Sequence, residues 1–277
     1  AALATAAGRD ALASRFAERH NAVVRFYDGG ACAALRDAAA RALDDEETLA
    51  AVGGAAPVSP DRPSEYAGVF GGEGPGRFVE VRFADGAPVP STVADVLVET
   101  DAARVALAAL GRIVVRAALG DVSKADDVAA RAGDATGAAS ATALRLCRYA
   151  PCAQNAFGAH TDTTFATLVP LSSTPGLEVF DPAAGGWVCP EDHRADDAAE
   201  GYQDVLVMPG ELLEVASGGR FAAAAHRVRG GARTRVSTPL LVRARLDEDW
   251  GGGASGQGVW AALQETDPAN ARATLAA

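Results

Sequence analysis

The pattern of hydrophobic and polar positions changes character near residue 143. Before it, apolar residues mostly recur at a helical period; after it, they come in short runs bounded by turn residues. Val23 to Tyr27 (VVRFY) is β-branched and aromatic and predicts one early strand, and Asp28-Gly29-Gly30 turns the chain into a helix over Ala31 to Leu43. From Val93 to Leu119, the residues Val96, Ala103, Leu107, Leu110, Val114 and Ala117 form an apolar stripe that leaves Arg104, Arg112 and Arg116 outside it. One long amphipathic helix is expected there. Residues 53 to 76 gather glycines and prolines, ending in Gly-Gly-Glu-Gly-Pro-Gly at 71 to 76, and predict a loop without regular structure. Asp121 to Gly137 reads as a polar connector.

Beyond Ala143 the runs are 144–149 (LRLCRY), 164–171 (TFATLVPL), 176–180 (GLEVF), 186–189 (GWVC), 204–208 (DVLVM), 224–229 (AAHRVR) and 235–243 (RVSTPLLVR). Closely spaced short strands of this kind predict an antiparallel barrel or sandwich. Three parts follow: a mostly helical region over 1–140 that packs on the core, a β core over 141–246, and a tail over 247–277. The segment 191–202 (EDHRADDAAEGY) is a charged connection and predicts a solvated loop, with a lid as the lesser alternative.

Composition narrows the function classes. The chain has 277 residues, 49% of them hydrophobic, enough for a substantial core without cross-links. A net charge of -11 with no compensating basic run argues against nucleic acid as a partner. The apolar stretch Ala103 to Leu119 is broken by three arginines, so no membrane span is expected. Cys32, Cys147, Cys152 and Cys189 show neither zinc-knuckle spacing nor the density of a disulfide scaffold, which fits a reducing compartment. The expectation is a cytoplasmic protein, favoured as a monomer, with an organelle compatible if a targeting segment preceded Ala1.

The chemistry rests on few residues. His160 and Asp162 stand two apart at the edge of a strand-like run, so both can face one metal ion, and His226 lies on a later strand. Two histidines and one carboxylate leave coordination positions open, the arrangement of non-haem iron(II) oxygenases, although zinc takes the same ligands. A zinc hydrolase would also need a general base beside the metal, and no HExxH-like element supplies one. Arg235 and Ser237 follow His226 after Gly230-Gly231, share one strand face, and suit a carboxylate. The glycine turn is expected to fold their strand back beside that of His226. Trp187 reads as a packing residue, His20 and His193 as surface residues, and Cys147 and Cys152 as packing around Tyr149.

The stretch from Leu144 to Arg245 resembles the catalytic core of the isopenicillin N synthase-like iron(II)/2-oxoglutarate-dependent dioxygenases. The resemblance is carried by Arg148-Tyr149, His160-Thr161-Asp162, Pro175-Gly176-Leu177-Glu178-Val179, Gly186-Trp187-Val188, Pro209-Gly210-Glu211, Ser217-Gly218-Gly219-Arg220-Phe221, His226-Arg227 and Arg235-Val236-Ser237, in order and at similar spacing. It implies a mainly β core with α elements: a double-stranded β-helix of jelly-roll or cupin-like type, with a helical N-terminal region and a long supporting helix. It also implies iron(II) held by His160, Asp162 and His226, and 2-oxoglutarate held at its distal carboxylate by Arg235 and Ser237 with help from Tyr149. Oxygen would be consumed, ascorbate could stimulate turnover, and a small organic substrate would be hydroxylated or desaturated. Two other readings remain open on the same residues. One is an iron oxidase without 2-oxoglutarate, as in the isopenicillin N synthase and aminocyclopropane-carboxylate oxidase branches; the other is a barrel that binds a metal or ligand without turnover.

Overall fold

A computed structural model describes residues 3–243 except 4, 28, 61–64, 72–73, 85–86, 90–100, 121–139 and 194–200. The expected connector at 121–137, the first residues of the helix expected from Val93, and the tail lie outside the described residues.

Three helices and five strands make up the described part of the amino-terminal region before the long helix. They are α1 (Ala6–Arg19), β1 (Ala22–Phe26), α2 (Gly29–Asp44), α3 (Glu46–Val52), β2 (Ala56–Pro57), β3 (Tyr66–Phe70), β4 (Gly76–Ala84) and β5 (Ala87–Val89). Thr5 caps α1 by accepting from the Gly8 N–H, and Asp45 caps α3 through the Glu47 N–H, so each helix starts where a side-chain oxygen meets its free donors. The helix α4 (Asp101–Leu119) buries the expected stripe, including Leu107, Leu110 and Val114. Among the described residues, no helix is long and apolar enough to cross a membrane.

The core strands are β6 (Ala143–Tyr149), β7 (Phe157–His160), β8 (Ala166–Pro170), β9 (Leu177–Asp181), β10 (Gly186–Val188), β11 (Gln203–Pro209), β12 (His226–Val228), β13 (Arg235–Ser237) and β14 (Leu240–Val242). A short helix, α5 (Glu211–Ala216), follows β11. The strands form an antiparallel ten-stranded sheet, with β1-β11-β8-β14-β6-β4-β3-β2 as its main path, and a four-stranded sheet ordered β10-β9-β12-β7. This is the double-stranded β-helix, with its two sheets not closed into a barrel.

Alternation along the strands assigns each face. On β8 and β11, Ala166, Leu168, Val205 and Val207 join the cluster packed with Leu12, Phe16, Leu35, Leu107 and Val114 of the helices. Val169, Leu206 and Met208 point the other way, onto Leu177, Val179 and Val228 of the small sheet. Both faces of the large sheet are therefore covered, which is why these strands read as continuous apolar runs.

Three expectations are corrected by the fold. Residues 53–76 are not all loop, because β2 and β3 form within them and β3 pairs with β4. The run 235–243 is two strands, divided at Thr238-Pro239, where proline lacks the N–H a ladder needs. The strand of Arg235 does not lie beside that of His226: β12 already has β9 and β7 on its two edges, so β13 pairs with β6 in the opposite sheet.

The turn from β11 into α5 is pinned by a close approach. A Cβ on Gly210 would collide with Thr164 Oγ1 and with the Thr164 carbonyl, and would come within 2.6 Å of the Asp162 carbonyl. Gly210→Ala is expected to cost roughly 2 kcal/mol through this overpacking, lowering Tm by about 4–8 °C in a thermal melt. An unchanged Tm would show that the turn is looser than described.

Candidate metal centre and cosubstrate pocket

The small sheet brings the three metal-ligand candidates together. His160 ends β7 and stands directly opposite His226 on β12, with ring centroids 4.2 Å apart. Asp162 follows two residues later, and one donor atom from each of the three side chains lies within 4.8 Å of the others. The His160 Nε2 is 3.8 Å from Asp162 Oδ1, and the His226 Nε2 is 3.5 Å from Asp162 Oδ2.

The second ring nitrogen of each histidine is already committed. His160 Nδ1 lies 2.9 Å from the Gly158 carbonyl, and His226 Nδ1 lies 3.0 Å from the Ala224 carbonyl. A carbonyl can only accept, so each Nδ1 carries the proton and each Nε2 turns its lone pair toward Asp162. Asp162 Oδ2 also accepts from Thr167 Oγ1 at 2.6 Å. Two imidazole nitrogens and one carboxylate oxygen, orientated before any ion arrives, fit iron(II) and leave its remaining positions for other ligands.

Electrostatics keep Asp162 and His160 in the forms a cation needs. Burial pushes Asp162 upward, but His226, His160, Arg145 and the Thr167 hydroxyl outweigh it and hold the carboxyl well below its usual range. Burial, and then the neighbouring His226, push His160 down to about 4 despite the opposing pull of Asp162.

The loop carrying Asp162 is clamped from below. Glu211, the first residue of α5, accepts from Thr161 Oγ1 at 2.5 Å and Thr163 Oγ1 at 2.9 Å, and its N–H donates to the Asp162 carbonyl at 2.9 Å. In the sequence Glu211 stands out only as part of a motif. Its spacing from the HTD element gives no sign of this contact.

Above the triad lies a cavity of about 60 Å³ between the sheets, lined by His160, Asp162, His226, Tyr149, Arg235 and Ser237, with apolar walls from Phe157, Val169, Leu177 and Met208. All six site residues expected from the sequence therefore meet at one place. Arg235 faces Tyr149 and Ser237 faces Cys147 across the β13–β6 ladder. Burial pushes the Tyr149 hydroxyl upward, keeping it protonated, and it is hydrogen-bonded to Cys147. The Cys147 thiol is pushed up to about 11 by burial, so it is not a reactive thiolate.

The segment read as a solvated loop contributes a buried residue. Glu191, in a 3-10 turn over Pro190–His193, accepts backbone N–H groups from Ser172, Gly176 and Leu177. It also pairs with Arg235, at 2.7 Å from Nη2 and 3.4 Å from Nε. Burial opposes the charge on Arg235, and Glu191 more than restores it. Glu191 thus takes the Nε–Nη2 edge of the guanidinium, and the Nη1–Nη2 edge is left for another partner on a side chain that lines the cavity. Gly176 makes the passage possible, since a Cβ there would stand 2.9 Å from Arg235 Cδ.

Of the residues outside the pocket, Trp187 and His193 behave as expected, and His20 is less exposed than its reading as a surface residue implies. Trp187 packs on Phe180 and lies under the Arg227 guanidinium, 4.3 Å from ring centroid to Cζ. His193 is exposed, and His20 is half-buried as the left-handed cap of α1.

A pocket with a two-histidine, one-carboxylate cluster and an arginine beyond it, on a double-stranded β-helix, is the arrangement that the sequence resemblance implies. Comparison with known proteins agrees. Residues 140–244, less than half of the chain, match the model of the 2OG-Fe(II) oxygenase superfamily. Gibberellin 3-beta-dioxygenase 4 of Arabidopsis thaliana is 34% identical over 117 residues, covering 40% of this chain and 28% of that protein. A full-length Neurospora crassa protein in complex with alpha-KG and thymine superposes with a TM-score of 0.70 at 16% identity, over 94% of this chain and 92% of that one. The dioxygenase for auxin oxidation of rice gives 0.66 at 19% identity, over 96% and 94%. The last two establish the likeness of fold.

Acid should weaken the metal-free protein in a defined window. His160 stays neutral in the folded state down to about 4, whereas the unfolded imidazole takes a proton near 6.5. The unfolded state therefore binds more protons between these values, and stability is lost as the pH falls through them, by up to about 3 kcal/mol. Urea unfolding at pH 7.5 and 4.5 measures this, and His160→Asn should shrink the difference.

Proposed function

We propose that this chain is an iron(II)- and 2-oxoglutarate-dependent dioxygenase that hydroxylates or desaturates a small organic molecule. The observation that carries the reading is the His160–Asp162–His226 cluster opening onto the same cavity as Arg235 and Ser237. His160 Nε2, Asp162 and His226 Nε2 would hold the iron. When bound, the metal supplies oxygen activation coupled to oxidative decarboxylation of 2-oxoglutarate to succinate and carbon dioxide. Alpha-KG in the Neurospora crassa complex and 2-oxoglutarate in the complex of the Arabidopsis thaliana dioxygenase for auxin oxidation support this cosubstrate.

The chain's own part is binding, orientation and exclusion of water. Arg235 offers its Nη1–Nη2 edge as a fork for the distal carboxylate, and the Ser237 hydroxyl stands two residues further along the same face. Glu191 and Gly176 fix the rotamer that aims this fork. Tyr149 lies beneath the guanidinium, 5.6 Å from ring centroid to Cζ, and remains a neutral donor. Phe157, Val169, Leu177 and Met208 keep the reacting volume apolar. Thr167 holds Asp162 Oδ2, so one oxygen of that carboxylate keeps a fixed direction.

A second reading is favoured by one observation, the Glu191 carboxylate already on Arg235. An iron oxidase that uses no 2-oxoglutarate would need less from this arginine. Succinate formation from 2-oxoglutarate, with iron(II), ascorbate and oxygen, separates the two. The proposal expects succinate, its loss in His226→Ala, and a KM for 2-oxoglutarate raised about 10–100-fold in Arg235→Gln, in line with losing a charge-assisted pair. Oxygen uptake without succinate would establish the second reading instead.

A further inference from the structure

A second arginine reaches the cavity, and neither the family motifs nor the cosubstrate reading gives it a task. Arg145 lies on β6 in line with Cys147 and Tyr149, so strand alternation turns it to the pocket face, and it lines the cavity together with the metal triad. It lies close enough to Asp162 and His160 for its charge to act on both. Its Nε donates to Glu80 Oε2 at 2.8 Å, and its guanidinium lies over Phe78 at 4.8 Å. Among the described residues these contacts commit Nε and one face of the guanidinium, leaving both Nη groups without a hydrogen-bond partner. The side chain sits deep in the fold yet keeps 22% of its surface open.

Glu80 does not draw those Nη groups away. It is shared by Arg82 at 2.8 Å and Arg243 at 3.5 Å, and this crowd of guanidiniums outweighs burial and holds its carboxyl down at about 2. A charged fork held at Nε, with its outer donors unpaired among the described residues and its side chain lining an apolar-walled cavity, is built to receive an anion. Arg235 cannot take a second one, because Glu191 fills one of its edges and the cosubstrate the other.

We propose that Arg145 is the specificity-determining residue for the substrate and binds a carboxylate on it, making the substrate a small organic acid. This rests on the dioxygenase reading, with Arg235 serving 2-oxoglutarate and Arg145 serving the molecule to be oxidised.

The test is anaerobic calorimetric titration of the iron(II)-loaded full chain, with and without 2-oxoglutarate, against benzoate, phenylacetate and hexanoate and their primary amides. The acids should bind about tenfold or more tightly than the amides. Arg145→Gln should erase that preference, and Arg145→Lys should restore part of it, since it keeps the charge and loses the fork. Arg235→Gln should leave the preference standing while weakening the visible band of the iron(II)–2-oxoglutarate chelate. Equal binding of acids and amides by the unaltered chain, or a preference that survives Arg145→Gln, would overturn the proposal. Loss of the chelate band in Arg145→Gln would also overturn it, by moving Arg145 to the cosubstrate. Absence of that band in the unaltered chain, with the acid preference intact, would instead overturn the 2-oxoglutarate reading and leave the role of Arg145 in place.

Discussion

An ionised carboxylate buried between two imidazoles is the constraint around which this protein is organised. Asp162 has little water to solvate it, and it stays charged because His160, His226, Arg145 and Thr167 surround it. Each imidazole is held by a backbone carbonyl at Nδ1, so the Nε2 atoms have no direction left but toward the carboxylate. Such an arrangement is costly for an empty core and favourable for one that receives a cation. The clamp from Glu211 and the close turn at Gly210 follow from the need to hold this loop still.

Charge pairing repeats this logic at two further places. The guanidinium of Arg235 is neutralised on one edge by Glu191, and that of Arg145 is tethered by Glu80. Each carboxylate fixes its arginine by the edge away from the reacting volume. Each arginine therefore enters the cavity with a defined orientation, and less rotamer entropy remains to be lost when an anion binds.

Much of this was legible in the sequence. The period of Leu107, Leu110 and Val114 located the long helix, and the short apolar runs located most core strands, because those signals are local. The candidate metal ligands were legible because their chemistry is rare in a chain with only four histidines. What failed was tertiary in origin. β3 is stabilised by pairing with β4 rather than by its own glycine-bearing sequence, so it read as loop. Glu191 is surrounded in sequence by charged residues, and nothing local distinguishes the one that turns inward from those that do not. The turn at Gly230-Gly231 suggested a hairpin, but the edges of β12 were already taken, and the arginine reached the metal site from the opposite sheet. Arg145 could have been found, since alternation with Cys147 and Tyr149 places it on the pocket face of its strand.

X-ray absorption spectroscopy of the anaerobic iron(II)-loaded protein reads the atoms around the metal. The expected result is two imidazole nitrogens and one carboxylate oxygen on the iron, completed by oxygen ligands, with the imidazole signature reduced by one in His226→Ala. Sulfur scattering from Cys147, or a shell with fewer than two imidazoles in the unaltered protein, would contradict it.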